Sequence, residues 1–282
     1  MDLSYKKNIK NLLKSERIKP LKRLGQNFLA DSGAIKKIIK AADLNSEDLV
    51  LEIGPGLGVL TKELVQKVKK VIAVEKDKNM VKLLKESLNN KNLEIIDRDI
   101  LKFIPEFKNY KIVANLPFYL TAPVIRRFLE AINNPSQQMV LVVQKEVGQR
   151  ICASPPKMSI LAVSVQAYAK TEIVSYISRK SFWPVPKVDS AIIKISPCLS
   201  NYAYSEKRDL FFKIVKAGFC QPRKQLINNF SKSLKLDKEK VKKWLLKNKI
   251  QPAQRAETLN LKNWISLTET YFKGMTFMDL IV

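Results

Sequence analysis

The segment Leu49-Val-Leu-Glu-Ile-Gly-Pro-Gly-Leu-Gly58 constrains the fold more than any other stretch of this chain. Its first five residues form a short, mostly apolar run, the mark of a strand buried on both faces. That run meets three glycines at alternate positions, and a helical pattern begins at Leu60. Gly54, Gly56 and Gly58 let the backbone pass close to a ligand without a side-chain clash. The helix that follows presents free N–H donors at its start. A dinucleotide fingerprint wants glycine at position 59, where Val59 stands. The Gly-x-Gly-x-Gly spacing therefore disfavours a nicotinamide-dependent dehydrogenase. It suits a loop that wraps a methionine-like tail; a tight turn with no ligand would use the same glycines.

Further apolar runs predict strands at Val71–Glu75, Leu93–Ile96, Lys111–Ala114 and Met139–Val143. Between them, Leu60, Leu64 and Val68 share one helical face, as do Met80, Leu84 and Leu88. Strands alternating with helices predict an α/β fold with a mostly parallel, Rossmann-like sheet. Beyond Ile151, strand-like runs at Val163–Ala169, Ile173–Ile177 and Ala191–Ile195 predict an antiparallel edge, the first two flanking a turn at Ala169–Thr171. From about Pro197 the pattern is helical, led by Leu210, Ile214 and Val215, then Val241, Trp244 and Leu245, then Trp264, Ile265 and Thr268. The expected division is a basic extension over 1–20, a catalytic domain over 21–198, and a small basic helical domain over 199–282, with the boundary near Pro197–Ser205.

Glu75 ends the second strand, 21 residues after Gly54, where a carboxylate can accept from two ribose hydroxyls. Asp99, after the third strand, is placed to accept from an adenine amino group, with Asp97 as a rival. Their neighbours Lys76 and Ile100 belong to the same rim.

Charge narrows the partner. The 282 residues carry 51 basic and 26 acidic side chains, a net charge of +25. Residues 1–40 hold 11 basic and 3 acidic groups, and residues 196–282 hold 17 and 7, so both ends are richer in positive charge than the middle. A uniformly lysine-rich surface explains such clustering less well than a polyanionic partner, nucleic acid ahead of membrane. No apolar run is long enough to span a bilayer, and the first twenty residues lack a signal peptide's apolar centre, so a cytoplasmic protein is expected. The three cysteines, Cys152, Cys198 and Cys220, have neither disulfide-framework nor zinc spacing, and no metal is expected. Histidine is absent, which removes the usual catalytic base. Chemistry here must run on amides, carboxylates, aromatics and a reactive cofactor.

Asn115-Leu116-Pro117-Phe118, followed by Tyr119, comes after the fourth strand. An adenine amino group is a poor nucleophile because its lone pair is delocalised into the ring. Asn115 and the Leu116 carbonyl could both accept from its hydrogens and favour the pyramidal, nucleophilic form. Pro117 fixes the turn. Phe118 offers a face for stacking, worth roughly 1–3 kcal/mol per base. An ordinary strand-to-loop turn would explain the tetrapeptide alone, but not beside the glycine loop.

With these motifs the chain resembles the small-subunit ribosomal RNA adenine N6,N6-dimethyltransferases (the KsgA/Dim1 family) and, more distantly, the Erm methylases. The resemblance runs from Leu24 to Leu259. It includes Leu24-Gly-Gln-Asn-Phe-Leu29, Ser181-Phe-Trp-Pro-Val-Pro-Lys-Val-Asp-Ser190, Gln221-Pro-Arg-Lys-Gln-Leu-Ile-Asn-Asn229 and Arg255-Ala-Glu-Thr-Leu259. It implies a class I methyltransferase fold and S-adenosylmethionine as cofactor. It implies that Asn27, Leu29, Gly54, Gly56, Glu75, Lys76, Asp99, Ile100 and Asn115 hold that cofactor, and that Asn115, Leu116, Pro117, Phe118 and Phe182 form the target-base pocket. Phe182 and Trp183 read equally well as core aromatics before a rigid turn. The implied partner is small-subunit ribosomal RNA, within a 30S-type particle, methylated on two adjacent adenosines in a hairpin near its 3′ end as part of ribosome biogenesis. Lys22, Arg23, Arg223 and Lys224 are expected RNA contacts, with Lys19, Arg126 and Arg127 as further candidates. The chain departs from the family in carrying Phe118 where tyrosine is usual, Ala153–Met158 where glycine is frequent, and its first twenty residues. A non-catalytic ribosome assembly factor and an Erm-type enzyme acting on large-subunit RNA are the competing readings.

Overall fold

The computed structural model describes residues 2–130, 134–198 and 206–278, with only the backbone of Lys22 and of residues 272–278. In chain order the elements are α1 (Lys6–Ser15), β1 (Phe28–Leu29), α2 (Ser32–Ala41), β2 (Leu49–Ile53), α3 (Val59–Leu64), β3 (Lys70–Glu75), α4 (Lys78–Ser87) and β4 (Leu93–Asp97). They continue through β5 (Tyr110–Asn115), α5 (Thr121–Glu130), β6 (Gln138–Gln144), α6 (Lys145–Ile151), α7 (Ile160–Gln166), β7 (Ala169–Ile177), β8 (Phe182–Trp183) and β9 (Ser190–Pro197). The last four are α8 (Arg208–Gly218), α9 (Leu226–Leu234), α10 (Lys238–Lys247) and α11 (Leu261–Met278).

Seven strands form one sheet in the order β4-β3-β2-β5-β6-β9-β7. The five from β4 to β6 are parallel, and β9 runs antiparallel to β6, pairing Met139 with Ile195 and Gln144 with Ser190. The expected mixed sheet is thus present. Strand order reverses at β2, whose neighbours are β3 and β5, and a cleft for ligands opens beyond the strand ends at such a switch. Val50, Leu51, Val113, Val140 and Val142 are all buried, as both faces of a parallel sheet covered by helices require. The antiparallel pair β1–β8 sets Phe28 opposite Trp183 and Leu29 opposite Phe182.

Two expectations fail between Arg150 and Thr171. Val163–Ala169 is not a strand: Ile160–Gln166 is helix α7. Ser159 caps it by accepting from the Ala162 N–H, and the Gln166 amide donates to the carbonyls of Ile151 and Ala153. Ala162, Val163 and Val165 are buried. In so short an apolar run, β-branched residues imitate a strand, and the capping serine decides. No turn separates two strands at Ala169–Thr171, because β7 begins at Ala169 and runs on to Ile177.

The chain forms two compact units, 1–149 with 170–197, and 150–169 with 198–278 among the described residues. Residues 150–169 therefore belong with the helices and not with the sheet, contrary to the expected catalytic domain over 21–198. The first unit ends at Pro197, and residues 199–205 of the expected boundary lie outside the described residues. Residues 1–20, the expected extension, pack on the first unit. Ile9 and Leu13 of α1 are buried against Phe28, Leu57, Met80 and Leu83 within the first unit. In the second unit Trp264 is fully buried, stacked on Phe219 with centroids 5.3 Å apart, and the Asn229 amide holds the carbonyls of Gly218 and Gln221.

Gly58 shows how tightly the glycine turn is specified. Its φ is +76°, and an added Cβ would lie 2.8 Å from Leu84 Cδ2 and 3.0 Å from Leu88 Cδ1. Left-handed strain and overpacking act together there. Gly58→Ala is expected to cost roughly 2–4 kcal/mol of unfolding free energy, measured as a lower urea midpoint at unchanged m-value.

Candidate active site

A single cleft within the first unit gathers the residues that follow the carboxyl ends of β2, β3, β4 and β5. Gly54 and Gly56 take φ values of +65° and +57°, conformations that glycine alone adopts cheaply. A Cβ on Gly56 would come within 3.2 Å of the Phe28 ring, so the turn and β1 touch across the cleft with no room for a side chain.

Glu75 closes β3 with its side chain turned back on the turn. Oε1 accepts from the N–H groups of Lys76 and Asp77, each at 2.8 Å, and Oε2 accepts from the Gly56 N–H at 3.1 Å. Burial raises its pKa, opposed by these hydrogen bonds and assisted by the nearby Asp77 carboxylate. Asp77 is tied in turn by the Gln26 amide at 2.7 Å, so a residue of the N-terminal segment is hydrogen-bonded into the glutamate's turn. Asp99 lies beyond β4, accepting from the Leu101 N–H and from Lys76 Nζ at 2.7 Å. Lys76 holds the Asp99 carboxyl below its usual range, and Asp99 raises the Lys76 ammonium in return. Ile100 follows on the cleft wall, whereas Asp97 is not among the lining residues.

Asn115 ends β5. Its Nδ2 donates to the backbone carbonyl of Asn27 at 3.1 Å. A carbonyl can only accept, so this contact fixes the amide's orientation and leaves Oδ1 for a ligand. Asn27 Nδ2 donates to the Gly25 carbonyl, which leaves that amide's oxygen as well. Leu116, Pro117, Phe118 and Tyr119 complete this wall: Leu116 is buried, Pro117 and Phe118 half-buried, Tyr119 exposed. Phe182 lines the same cleft with Leu29, and both are buried in the core cluster. Phe182 thus lines the cleft while belonging to the core. It reaches the cleft through the β1–β8 pair, reinforced by the Ala30 N–H donating to the Ser181 carbonyl and the Ser181 hydroxyl donating to Asp31.

Every residue expected at the cofactor and base sites therefore lines one cleft. The expected RNA contacts do not: Arg23 is exposed beside it, Arg223 and Lys224 are exposed on the loop before α9, and the Lys22 side chain lies outside the described residues.

Reading the sequence missed Glu52. It lies in β2, 1% exposed, lines the cleft, and its Oε2 has no hydrogen-bond partner among the described residues. Burial pushes its pKa up to about 8; Thr61 opposes the rise and Glu75 adds to it. The detectable signal was a carboxylate inside an otherwise apolar strand. Gln26 and Asp77 were missed too, and no local pattern links positions 51 residues apart.

Because its folded pKa lies above its unfolded value, Glu52 is no liability below pH 4.5 and opposes folding increasingly as pH rises toward 8. Glu52→Gln is expected to be more stable than the parent by on the order of a few kcal/mol at pH 8, with the difference vanishing near pH 4.5. Thermal unfolding of both proteins across that range measures it.

Residues 18–273 match the family model described as Ribosomal RNA adenine dimethylase. Ribosomal RNA small subunit methyltransferase A of Dehalococcoides mccartyi is 41% identical over 268 residues, covering 93% of this chain and 92% of that protein. A dimethyladenosine transferase from Plasmodium falciparum superposes with a TM-score of 0.74 at 29% identity, over 88% of this chain and 98% of the other. The 23S rRNA methyltransferase ErmE also gives 0.74, at 25% identity over 86% of this chain and 99% of its own. On a match that spans most of its length, this chain belongs to the ribosomal RNA adenine dimethylase family.

Proposed function

We infer that this protein is an S-adenosylmethionine-dependent methyltransferase that dimethylates adenosine N6 in small-subunit ribosomal RNA. The observation that carries the reading is the oriented amide of Asn115, whose nitrogen is engaged by Asn27 at a cleft also walled by the glycine turn, Glu75 and Asp99. The residues present fit the donor. Gly54 and Gly56 turn the backbone at positive φ, with no room for a Cβ on Gly56; Glu75 would offer a carboxylate to ribose hydroxyls, and Asp99 with Ile100 would flank the adenine. Asn27 and Leu29, on the same cleft wall, would also hold it, and Lys76 steadies Asp99. S-adenosylmethionine, when bound there, supplies an electrophilic methyl on a sulfonium.

The chain's own work is to position the nucleophile. The target base must leave its stack, at a cost of a few kcal/mol. Phe118 stacks on it, and Phe182, from the β1–β8 pair, is the proposed second stacking partner. Asn115 Oδ1 and the Leu116 carbonyl accept from the amino hydrogens, which draws the nitrogen toward pyramidal geometry and aims its lone pair. Pro117 holds the two acceptors in one turn. No side-chain base is required, because the methylated amine loses its proton to solvent. The gain comes from holding the reacting atoms in line.

Within this activity, the substrate is proposed to be two adjacent adenosines in a hairpin near the RNA's 3′ end, presented in a 30S-type particle during ribosome biogenesis in the cytoplasm. Arg23, Arg223 and Lys224, with Lys22, are proposed to contact phosphates. No helix among the described residues is long and apolar enough to cross a membrane, and no group of potential metal ligands occurs among them.

The test is incubation with labelled S-adenosylmethionine and unmodified small ribosomal subunits. N6,N6-dimethyladenosine should appear on nucleoside analysis. Binding without label would favour a non-catalytic assembly factor, and label in large-subunit RNA alone an Erm-type enzyme. Asn115→Ala is expected to lower kcat by on the order of 100- to 1000-fold, with RNA affinity little changed. Full activity in that variant would overturn the assignment.

A further inference from the structure

Helix α1 is built against the usual charge rules for a helix. It carries Lys6, Lys7, Lys10 and Lys14 and no acidic residue. Lys6 and Lys7 sit in its first turn, where the macrodipole disfavours positive charge, and Tyr5 gives no side-chain cap. Lys6–Lys10 and Lys10–Lys14 are like-charge pairs four residues apart, and each weakens an isolated helix. What holds α1 in place is its other face. Ile9 and Leu13 are 0% and 2% exposed, packed with Phe28 and Leu57.

The charges are therefore rigidly mounted. Lys7, Lys10 and Lys14 fall at i, i+3 and i+7, a single exposed stripe flanking the buried Ile9 and Leu13. All three are exposed, and Arg17 and Lys19 continue the exposed charge past the helix end. No ion pair among the described residues involves any of the five. The same apolar cluster that seats α1 includes Phe28 and Leu57, which line the cofactor cleft. An arrangement that costs helix stability and leaves an uncompensated stripe fixed beside the catalytic cleft suits a polyanion docked there.

We propose that the Lys7-Lys10-Lys14 stripe of α1 is a phosphate-backbone docking surface for the substrate RNA. The proposal rests on the RNA methyltransferase reading, since it needs a nucleic-acid partner at this cleft. The contacts are with phosphates and carry no sequence information. Their signature is salt dependence, because each neutralised phosphate releases condensed counterions.

The experiment compares the full chain with K7Q/K10Q/K14Q, measuring affinity for unmodified small-subunit ribosomal RNA across a salt series. A control, K85Q/K91Q/K108Q, removes the same charge from exposed lysines elsewhere in the first unit. The stripe variant is expected to lose about 10-fold or more in affinity at low salt, and its slope of log K against log salt to flatten by about 2 to 3. The control should stay near the parent slope, and K7R/K10R/K14R should retain it. Cofactor affinity should not change, and the thermal midpoint of the glutamine variant should hold or rise as like-charge repulsion is relieved. Single substitutions, each flattening the slope by about 0.7 to 0.9, give the same answer with less perturbation of the helix. Equal slopes in the stripe and control variants would overturn the proposal. Failure of the unaltered protein to bind this RNA at all would instead count against the functional reading beneath it.

Discussion

Burying β2, β3 and β5 on both faces leaves their interior with almost no place for polar chemistry, and most of this molecule's organisation follows from that constraint. A strand covered by helices must spend its backbone groups on its neighbours and its side chains on packing. Polar groups able to meet a ligand are displaced to the strand ends. The order β3-β2-β5 puts three such ends side by side, so the glycine turn, Glu75 and Asn115 share one rim although they are far apart in sequence. Glu52 is the exception that shows the rule, a carboxyl kept inside and pushed toward its neutral form by that position.

The far side of the rim is supplied by short elements instead of sheet. β1 and β8 are two residues each, too short to be stable alone, and they persist because Phe28, Leu29 and Phe182 are buried in the cores beneath. Their pairing brings residues about 150 positions apart onto the cleft. It also presents the Asn27 carbonyl to Asn115, so the orientation of the amide proposed to hold the base depends on the N-terminal segment being in place. Gln26 strengthens the dependence by binding Asp77 within the turn that Glu75 organises. The turn at Glu75, the end of β5 and the N-terminal segment are thus joined by hydrogen bonds.

The central sheet was legible because its signals are local. A run such as Val-Ile-Ala-Val-Glu ending in a carboxylate, or five residues meeting Gly-Pro-Gly, states both the element and its chemistry within ten positions. Glu75 and Asn115, each ending a strand, and Gly54, Gly56 and Asp99, each just past one, were legible for the same reason, whereas Asn27 and Leu29 rested on the family resemblance. Legibility failed where a short apolar run could serve either periodicity, as at Ile160–Gln166, and where the determining contact joined distant segments. The Met158 N–H donating to the Glu257 carbonyl and Tyr168 stacked on Phe212 tie 150–169 to the helical unit, and no local pattern announces those distant partners. The first twenty residues read as a charged extension because the lysines outnumber the two apolar side chains that matter, Ile9 and Leu13.

Phe118 in place of the family's usual tyrosine bears on how much of the proposed mechanism the base wall needs. A hydroxyl at that position would have to find a partner once a base covered it, or be buried at a cost of about 1–3 kcal/mol. Phenylalanine keeps the stacking face and removes that obligation. In the proposed mechanism the hydrogen bonds to the amino group then fall on Asn115, whose amide the Asn27 contact already orients, and on the Leu116 carbonyl. Preorganised acceptors cost little reorganisation at the moment of reaction. In such a site the aromatic residue sets where the ring lies, while the direction of attack is set by an amide whose nitrogen is already spent.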